Sequence, residues 1–299
     1  MNILMTGGTG FIGGALGHHL HSLGHRLVVL SRQSQQRALA SCPPGTRIIA
    51  SFDDIADDEA LDAVVNLAGE SLFSRRWSAA RKQRLLDSRV GVTHELVALM
   101  RRLRQPPAVM VSGSAVGFYG DAGDAELTER SPARRKDFGY RLCDAWEQAA
   151  REVSNLGVRL TIIRTGVVLG ANGGMLASLL PVYRFGLGMR LGNGEQWLSW
   201  IHRDDLVAIL TRALTAPGVE GVFNGTAPGP VTQREFHHTL ARAVRRPAPW
   251  VMPAPLLRLA LGEMSQLMLG GQRAYPRRLD EQGFVFRYPH LEQALADLV

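Results

Sequence analysis

The residues with the clearest chemical potential are Gly7, Gly10 and Gly13, in the stretch TGGTGFIGG near the start of the chain. Glycines there let the backbone turn tightly and approach a pyrophosphate, whose charge is met by amides heading the next helix. The motif has its required context: NILMT reads as a buried strand, and IGGALGHHLHSLG as a helix closed by Gly24. A merely tight strand-to-helix turn would use the same residues. Further on, VLSRQ ends a second apolar strand with Ser31 and Arg32. A carboxylate there accepts hydrogen bonds from the 2′-hydroxyl of NAD, whereas a guanidinium pairs with the 2′-phosphate of NADP through two parallel bonds. The expected cofactor is NADP(H), and a solvent-facing loop arginine is the plain alternative for Arg32.

A second chemical question lies in DFGYRLCDAWEQAA, residues 137–150. A tyrosine has a free pKa of about 10 and serves as a base near neutrality only beside a cation that stabilises its phenolate. Four residues after Tyr140 stands Asp144, whose charge works the other way. Tyr119, Tyr183, Tyr275 and Tyr288 are followed at the fourth position by Gly123, Leu187, Leu279 and Glu292, and the only lysines are Lys82 and Lys136. No tyrosine–lysine pair one helical turn apart exists in the chain. Phe138, Leu142, Trp146 and Ala149 keep a helical period, so this segment presents an apolar face and Tyr140 is expected to pack. Cys143 has no neighbour in sequence that would activate a thiolate, and it reads as a small buried helix residue.

The elements that must position these residues alternate strand and helix, the pattern of a parallel α/β sheet. After the first two strands come RIIA, AVVNLAG and AVMVSGSA, with a long helical pattern over about residues 78–104. RLTIIRTGVVLG reads as a sixth strand and its loop. Beyond it, ANGG, GLGMRLGNGEQ and TAPGPVT are glycine- and proline-punctuated loops, with helices dominating to the end.

These stretches together resemble the extended short-chain dehydrogenases/reductases of the NAD-dependent epimerase/dehydratase superfamily. NLAGE (66–70) resembles the strand-four segment that lines adenosine and ribose, and SGSAVGFYG the strand-five active-site segment. RTGVVLG resembles the loop that contacts nicotinamide, and WIHRDDL the return to the dinucleotide-binding domain. RRWS, DSRV, GEQWLSWIH, NGTAP and the long ending from GGQRAYPRRLD are similar to one subgroup of bacterial epimerase-family proteins with a C-terminal domain of unknown function. That resemblance covers essentially the whole chain.

The resemblance implies an α/β fold: a doubly wound parallel sheet of the Rossmann, extended type with a smaller, mostly helical C-terminal lobe. Residues 1–170 and 200–224 would form the NADP-binding domain, and 171–199 with 225–299 the substrate lobe. Cofactor contacts are expected at Gly7, Thr9, Gly10, Phe11, Ile12, Gly13, Ser31, Arg32, Leu67, Ala68, Gly69, Ser112, Thr165, Gly166 and Val167. Arg89 of the SR pair is implied as a further cofactor residue, against a plain reading as a helix-surface arginine. Ser114 takes the place of the usual catalytic serine, or is a loop serine satisfying backbone groups. Tyr119 is a second catalytic candidate, with Glu70, Trp77, Gln196, Trp200 and His202 as possible pocket residues; His202 reads as structural, tied to the acidic pair behind it. In the superfamily the catalytic helix carries Tyr-x3-Lys-x3-Glu. Counting back from Glu147 puts Cys143 at the lysine place and Gly139 at the tyrosine place, so the usual dyad is absent.

Two functions from different classes fit these features. One is an NADP(H)-dependent oxidoreductase or epimerase-like enzyme with non-standard proton transfer, acting on a carbonyl compound or nucleotide sugar. The other is an NADP(H) binder that senses or scaffolds without turnover. The formal charge of +7 does not redirect either, because the basic residues are nearly all scattered arginines with no aromatic-interleaved tract. A solvated basic surface is expected, with no specific nucleic-acid partner. No apolar run approaches the ~20 residues of a membrane helix, and the N-terminus lacks a basic leader. Cys42 and Cys143 show no metal spacing, so a metal-free cytoplasmic protein is expected.

Overall fold

The computed structural model describes residues 1–299. Seven strands, β1 (Asn2–Thr6), β2 (Arg26–Leu30), β3 (Arg47–Ile49), β4 (Ala63–Asn66), β5 (Val109–Ala115), β6 (Arg159–Thr165) and β7 (Gly221–Gly225), make one sheet. Their spatial order is β3-β2-β1-β4-β5-β6-β7, and every neighbouring pair is parallel. The order reverses between β1 and β4. In such sheets ligands bind outside the carboxyl ends of the strands at that switch point.

Near-continuous apolar strands follow from a sheet covered on both faces. Because side chains alternate, Ile3, Met5, Val65, Val111 and Ile163 enter one core, while Leu4, Val64, Met110 and Ile162 enter the other. Helix α1 (Phe11–Ser22) supplies Leu16 and Leu20 to the first core. The second core receives Leu96, Val97 and Met100.

Those three residues come from a helical run that the sequence pattern read as one helix. It is three pieces: α2 (Ala79–Leu86), a wide π turn at Asp87–Gly91 and α3 (Val92–Arg102). Helix α4 (Phe138–Arg151) buries Phe138, Leu142, Trp146 and Ala149, as its period predicts. The stretch after β6 departs in another way. The expected sixth strand breaks at Gly166, and Val167–Leu169 leaves the main sheet to pair with Trp200–His202. A Cβ at Gly166 would lie 2.4 Å from the Ser199 carbonyl oxygen, so only glycine allows this crossing.

A third core, built on Leu176, Leu180, Tyr183, Trp200, Phe236, Leu240, Leu291 and Leu295, holds the C-terminal part together. Helices α5 (Gly174–Arg184), α7 (Gln233–Ala243), α8 (Ala254–Leu261) and α9 (Leu291–Leu298) dominate it, whereas α6 (Arg203–Thr215) sends Leu206, Val207, Ile209 and Leu210 into the first core. Two short strand pairs, 189–191 with 250–252 and 197–198 with 231–232, interrupt that helical expectation. No helix is long and apolar enough to cross a membrane.

Candidate cofactor and active site

At the switch point the glycine loop after β1 meets the loop after β4. Gly7 holds a left-handed φ of 71°, and a Cβ there would sit 2.5 Å from the Leu67 carbonyl oxygen. A Cβ on Gly13 would lie 2.2 Å from the Gly7 carbonyl oxygen, so α1 packs directly on the turn that precedes it. Phe11 heads α1, and its ring is clasped by Gly170, Gly173 and Gly174, whose Cβ positions fall within 2.3–3.1 Å of it. The part of Phe11 free to meet a ligand is therefore its backbone. Thr9, Gly10 and Ile12 share this helix-heading loop.

Below the two loops lies a buried polar hub that the sequence did not reveal. Thr6 donates to Asn66 Oδ1 at 2.7 Å, and the Asn66 amide donates to Thr93 at 2.8 Å and to Ser112 at 3.3 Å. The Ala68 N–H returns to the Thr6 hydroxyl. All four side chains are buried, so this network fixes the Leu67–Gly69 segment from beneath. Ser112 is thus a support for the loop and sits under it.

Arg89 is not a helix-surface arginine. The π turn carries its guanidinium flat against Gly69, where a Cβ would stand 2.8 Å from Cζ. It donates to the Glu70 carbonyl at 2.9 Å and to the Leu85 carbonyl at 3.2 Å, and it lies 5.5 Å from the Trp146 ring. Burial lowers its pKa from the ordinary arginine value, although arginine retains its charge. Single π turns inside helices recur at functional sites. Arg32, after β2, is exposed and reaches within 3.7 Å of Glu70. Ser31 is buried and accepts the Gln33 N–H. Thr165, Gly166 and Val167 lie where β6 gives way to the Val167–Leu169 strand.

The catalytic candidates fare unequally. Ser114 is buried near the end of β5 and donates to Glu147 at 2.8 Å. Glu147 in turn receives two parallel bonds from Arg164, at 2.7 and 2.9 Å. Burial works against the Arg164 charge, but hydrogen bonding and attraction to Glu147 outweigh it and hold the pKa above the ordinary value. Ser114 therefore belongs to a side-chain network and is not satisfying backbone groups. Its proton points to Glu147, which leaves its lone pairs available and requires a rotation before it donates elsewhere.

Tyr119 leaves the set of catalytic candidates. It is fully buried, its hydroxyl donates to Asn224 at 2.8 Å, and burial pushes its pKa up. Trp200 is likewise core, with its indole N–H on the Gly229 carbonyl. His202 caps α6 through the Asp204 N–H and packs on Tyr288, 3.9 Å between rings. Trp77 donates to the Leu72 carbonyl and meets Phe138 edge-on. Gln196 donates to the Leu191 and Met268 carbonyls, tying two loops together.

In α4, Glu147 faces β5, where Ser114 donates to it. Cys143 Sγ faces Gly117 on the β5 side, 3.8 Å from a Cβ built there, while Tyr140 packs against Phe118 with ring centroids 5.5 Å apart. Burial, then Asp144, raises the Tyr140 pKa. Burial, then the Glu147 charge, pushes the Cys143 thiol up to about 11. The residue one turn before Glu147 is thus a buried thiol and not a cation. We expect Cys143 to resist iodoacetamide at pH 7.5 in the folded protein and to react on denaturation; rapid alkylation of the native protein, read by mass spectrometry, would contradict this burial.

The model of the NAD dependent epimerase/dehydratase family matches residues 3–224, and a domain of unknown function matches residues 252–298. The chain belongs to the NAD dependent epimerase/dehydratase family. The epimerase family protein YfhF of Bacillus subtilis is 37% identical over 302 residues, covering 100% of this chain and 98% of the relative. The crystal structure of the human epimerase family protein SDR39U1 with NADPH superposes with a TM-score of 0.90 at 36% identity, covering 100% of this chain and 99% of that one. A nucleoside-diphosphate sugar epimerase from Corynebacterium glutamicum reaches 0.79 at 32% identity, covering 100% of this chain and 58% of that one. The long-range pattern of this epimerase-family chain, from the glycine loop to its C-terminal domain, is thus shared along full-length relatives.

Proposed function

We propose that this epimerase-family protein is an NADP(H)-dependent oxidoreductase whose proton chemistry does not use a tyrosine–lysine dyad. The observation that carries the cofactor is the close packing at the switch point, where Gly7, Gly13 and Gly69 let the Leu67 carbonyl, the Gly7 carbonyl and the Arg89 guanidinium approach nearer than any Cβ would permit, the backbone geometry a pyrophosphate-binding turn requires. Bound there, NADP(H) would supply or accept a hydride. Gly7 to Gly13 would hold the pyrophosphate on the head of α1, Leu67–Gly69 and Arg89 would line the adenosine side, and Arg32 would meet the 2′-phosphate. The human relative solved with NADPH supports this choice of cofactor.

Ser114 would meet the reacting oxygen of a carbonyl compound or nucleotide sugar, its own proton held or returned by Glu147. Thr165 to Val167 would flank the nicotinamide. With two buried, free cysteines, the protein would work in a reducing cytoplasm.

Titration by cofactor fluorescence tests the first half. NADPH is expected to bind more tightly than NADH, and Arg32→Ala to cost NADPH about 1.5 kcal/mol, the low end for a charge-assisted bond at an exposed position. Equal affinities in the wild type would remove the NADP assignment.

Turnover is tested by NADPH oxidation over a broad panel of carbonyl compounds and nucleotide sugars. Tyr140→Phe is expected to leave activity nearly intact, whereas Ser114→Ala is expected to lower it with cofactor affinity unchanged, because a positioned hydroxyl acts as charge develops. A fall of about 10²–10⁴-fold in Tyr140→Phe alone would restore a catalytic tyrosine. The neutral Cys143 thiol favours a second reading, a non-catalytic NADP(H) sensor or scaffold. NADPH binding without turnover across the panel would select it.

A further inference from the structure

The acidic ribose reader missing from the end of β2 has a counterpart across the crevice. Glu70 follows β4, and its carboxylate lies 3.7 Å from Arg32 Nη1. The same carboxylate is fixed from the opposite side by Arg81 of α2, whose guanidinium is buried and also donates to the Ser71 carbonyl and the Ser74 hydroxyl. The Glu70 backbone is held too, by Ser88 on its N–H and Arg89 on its carbonyl. Hydrogen bonding from Arg81, then the charges of Arg81, Arg32 and Arg84, keep the Glu70 carboxyl below the usual range, although burial opposes them. Glu70 is therefore an anchored anion, and Arg32, four-fifths exposed, is its solvent-facing partner.

Resting on the NADP(H) reading above, we propose that Glu70 is a specificity-determining residue: it competes with the cofactor's 2′-phosphate for Arg32, and so moderates the preference for NADPH over NADH. One guanidinium cannot give its paired donors to both anions in full, and the anchored carboxylate does not follow it. A 2′-phosphate must draw Arg32 away from Glu70. A 2′-hydroxyl makes no such demand. Because the pair is exposed, its effect is modest, worth roughly two- to fivefold in affinity.

Glu70→Gln keeps the shape and the amide oxygen that Arg81 can use, while removing the charge. NADPH is expected to bind about two- to fivefold more tightly in this variant, with NADH unchanged, and the gain is expected to vanish in an Arg32→Ala background. Equal tightening for both cofactors would overturn the proposal, since the pair would then merely bar the adenosine slot. Equal weakening would overturn it by making Glu70 a loop support, which circular dichroism and the melting temperature would register independently. A gain that persists without Arg32 would also overturn it, as repulsion acting without competition. Failure of the underlying NADP(H) reading looks different: wild type would then bind neither cofactor, or Arg32→Ala would leave NADPH affinity untouched.

Discussion

Glu147→Leu is expected to destabilise the protein by about 3–5 kcal/mol, the cost of leaving a buried charge without its partner. Arg164 is 4% exposed and Glu147 1%, so solvent cannot replace the lost carboxylate. The penalty has few outlets. Arg164 already leaves Nη1 without a partner, and its guanidinium lies 3.4 Å from the Phe118 ring, a contact that cannot neutralise it. The double variant Glu147→Leu with Arg164→Met is expected to recover most of the loss, because apolar pairs of similar volume replace buried ion pairs at little cost. Urea denaturation of the two variants checks this. A single variant as stable as wild type would mean the pair is not desolvated. The test also bears on Ser114, whose hydroxyl loses its acceptor when Glu147 goes.

Gly13→Ala is expected to remove most cofactor binding while Gly10→Ala keeps it. The new Cβ at residue 13 meets backbone, the Gly7 carbonyl oxygen at 2.2 Å and its carbon at 2.8 Å, so nothing flexible can yield. The turn must open by about an ångström, which misaligns the amides at the head of α1; displacements of that size cost roughly 10²-fold where geometry is preorganised. At residue 10 the same oxygen is 3.2 Å away, and a shift of a few tenths of an ångström relieves the contact. NADPH affinity by fluorescence, with circular dichroism to verify folding, separates the two. Normal binding by Gly13→Ala would sink the idea that the pyrophosphate sits on this turn.

Much of the fold was legible because parallel, doubly covered strands are nearly all apolar and glycines mark the loops between them. The glycine loop was legible for the same reason: close backbone packing demands glycine, and Gly7 and Gly13 have no substitute. That the chain holds no tyrosine followed four residues on by lysine is read from the sequence by counting alone. Less could be read where partners are distant in sequence. Asn66 looked like part of a strand-four signature, yet its role is to join Thr6, Thr93 and Ser112, from three other elements. Tyr119 drew attention by type and by its place after β5, but its hydroxyl is claimed by Asn224, 105 residues away. The strand Gly221–Gly225 was not anticipated, since a five-residue segment with glycine at both ends carries little apolar signal. The helical pattern over 78–104 hid its own break, because a π turn keeps residues helical in composition.

That wide turn makes helix phase a functional quantity. Between α2 and α3 the chain holds more residues per turn than an α-helix needs, and side chains mend the backbone that this frees: Ser88 and Arg89 bond the Leu85 carbonyl, and Thr93 bonds the Arg89 carbonyl at 2.6 Å. Removing one residue from Asp87–Gly91 would let a regular helix run through, with every amide paired. It would also rotate α3 by about 100° relative to α2. Thr93 would lose Asn66, or Arg89 would lose its seat on Gly69, since a straight helix cannot serve both. The surplus residue is in effect a phase shifter, setting two faces of one helix to two different clocks.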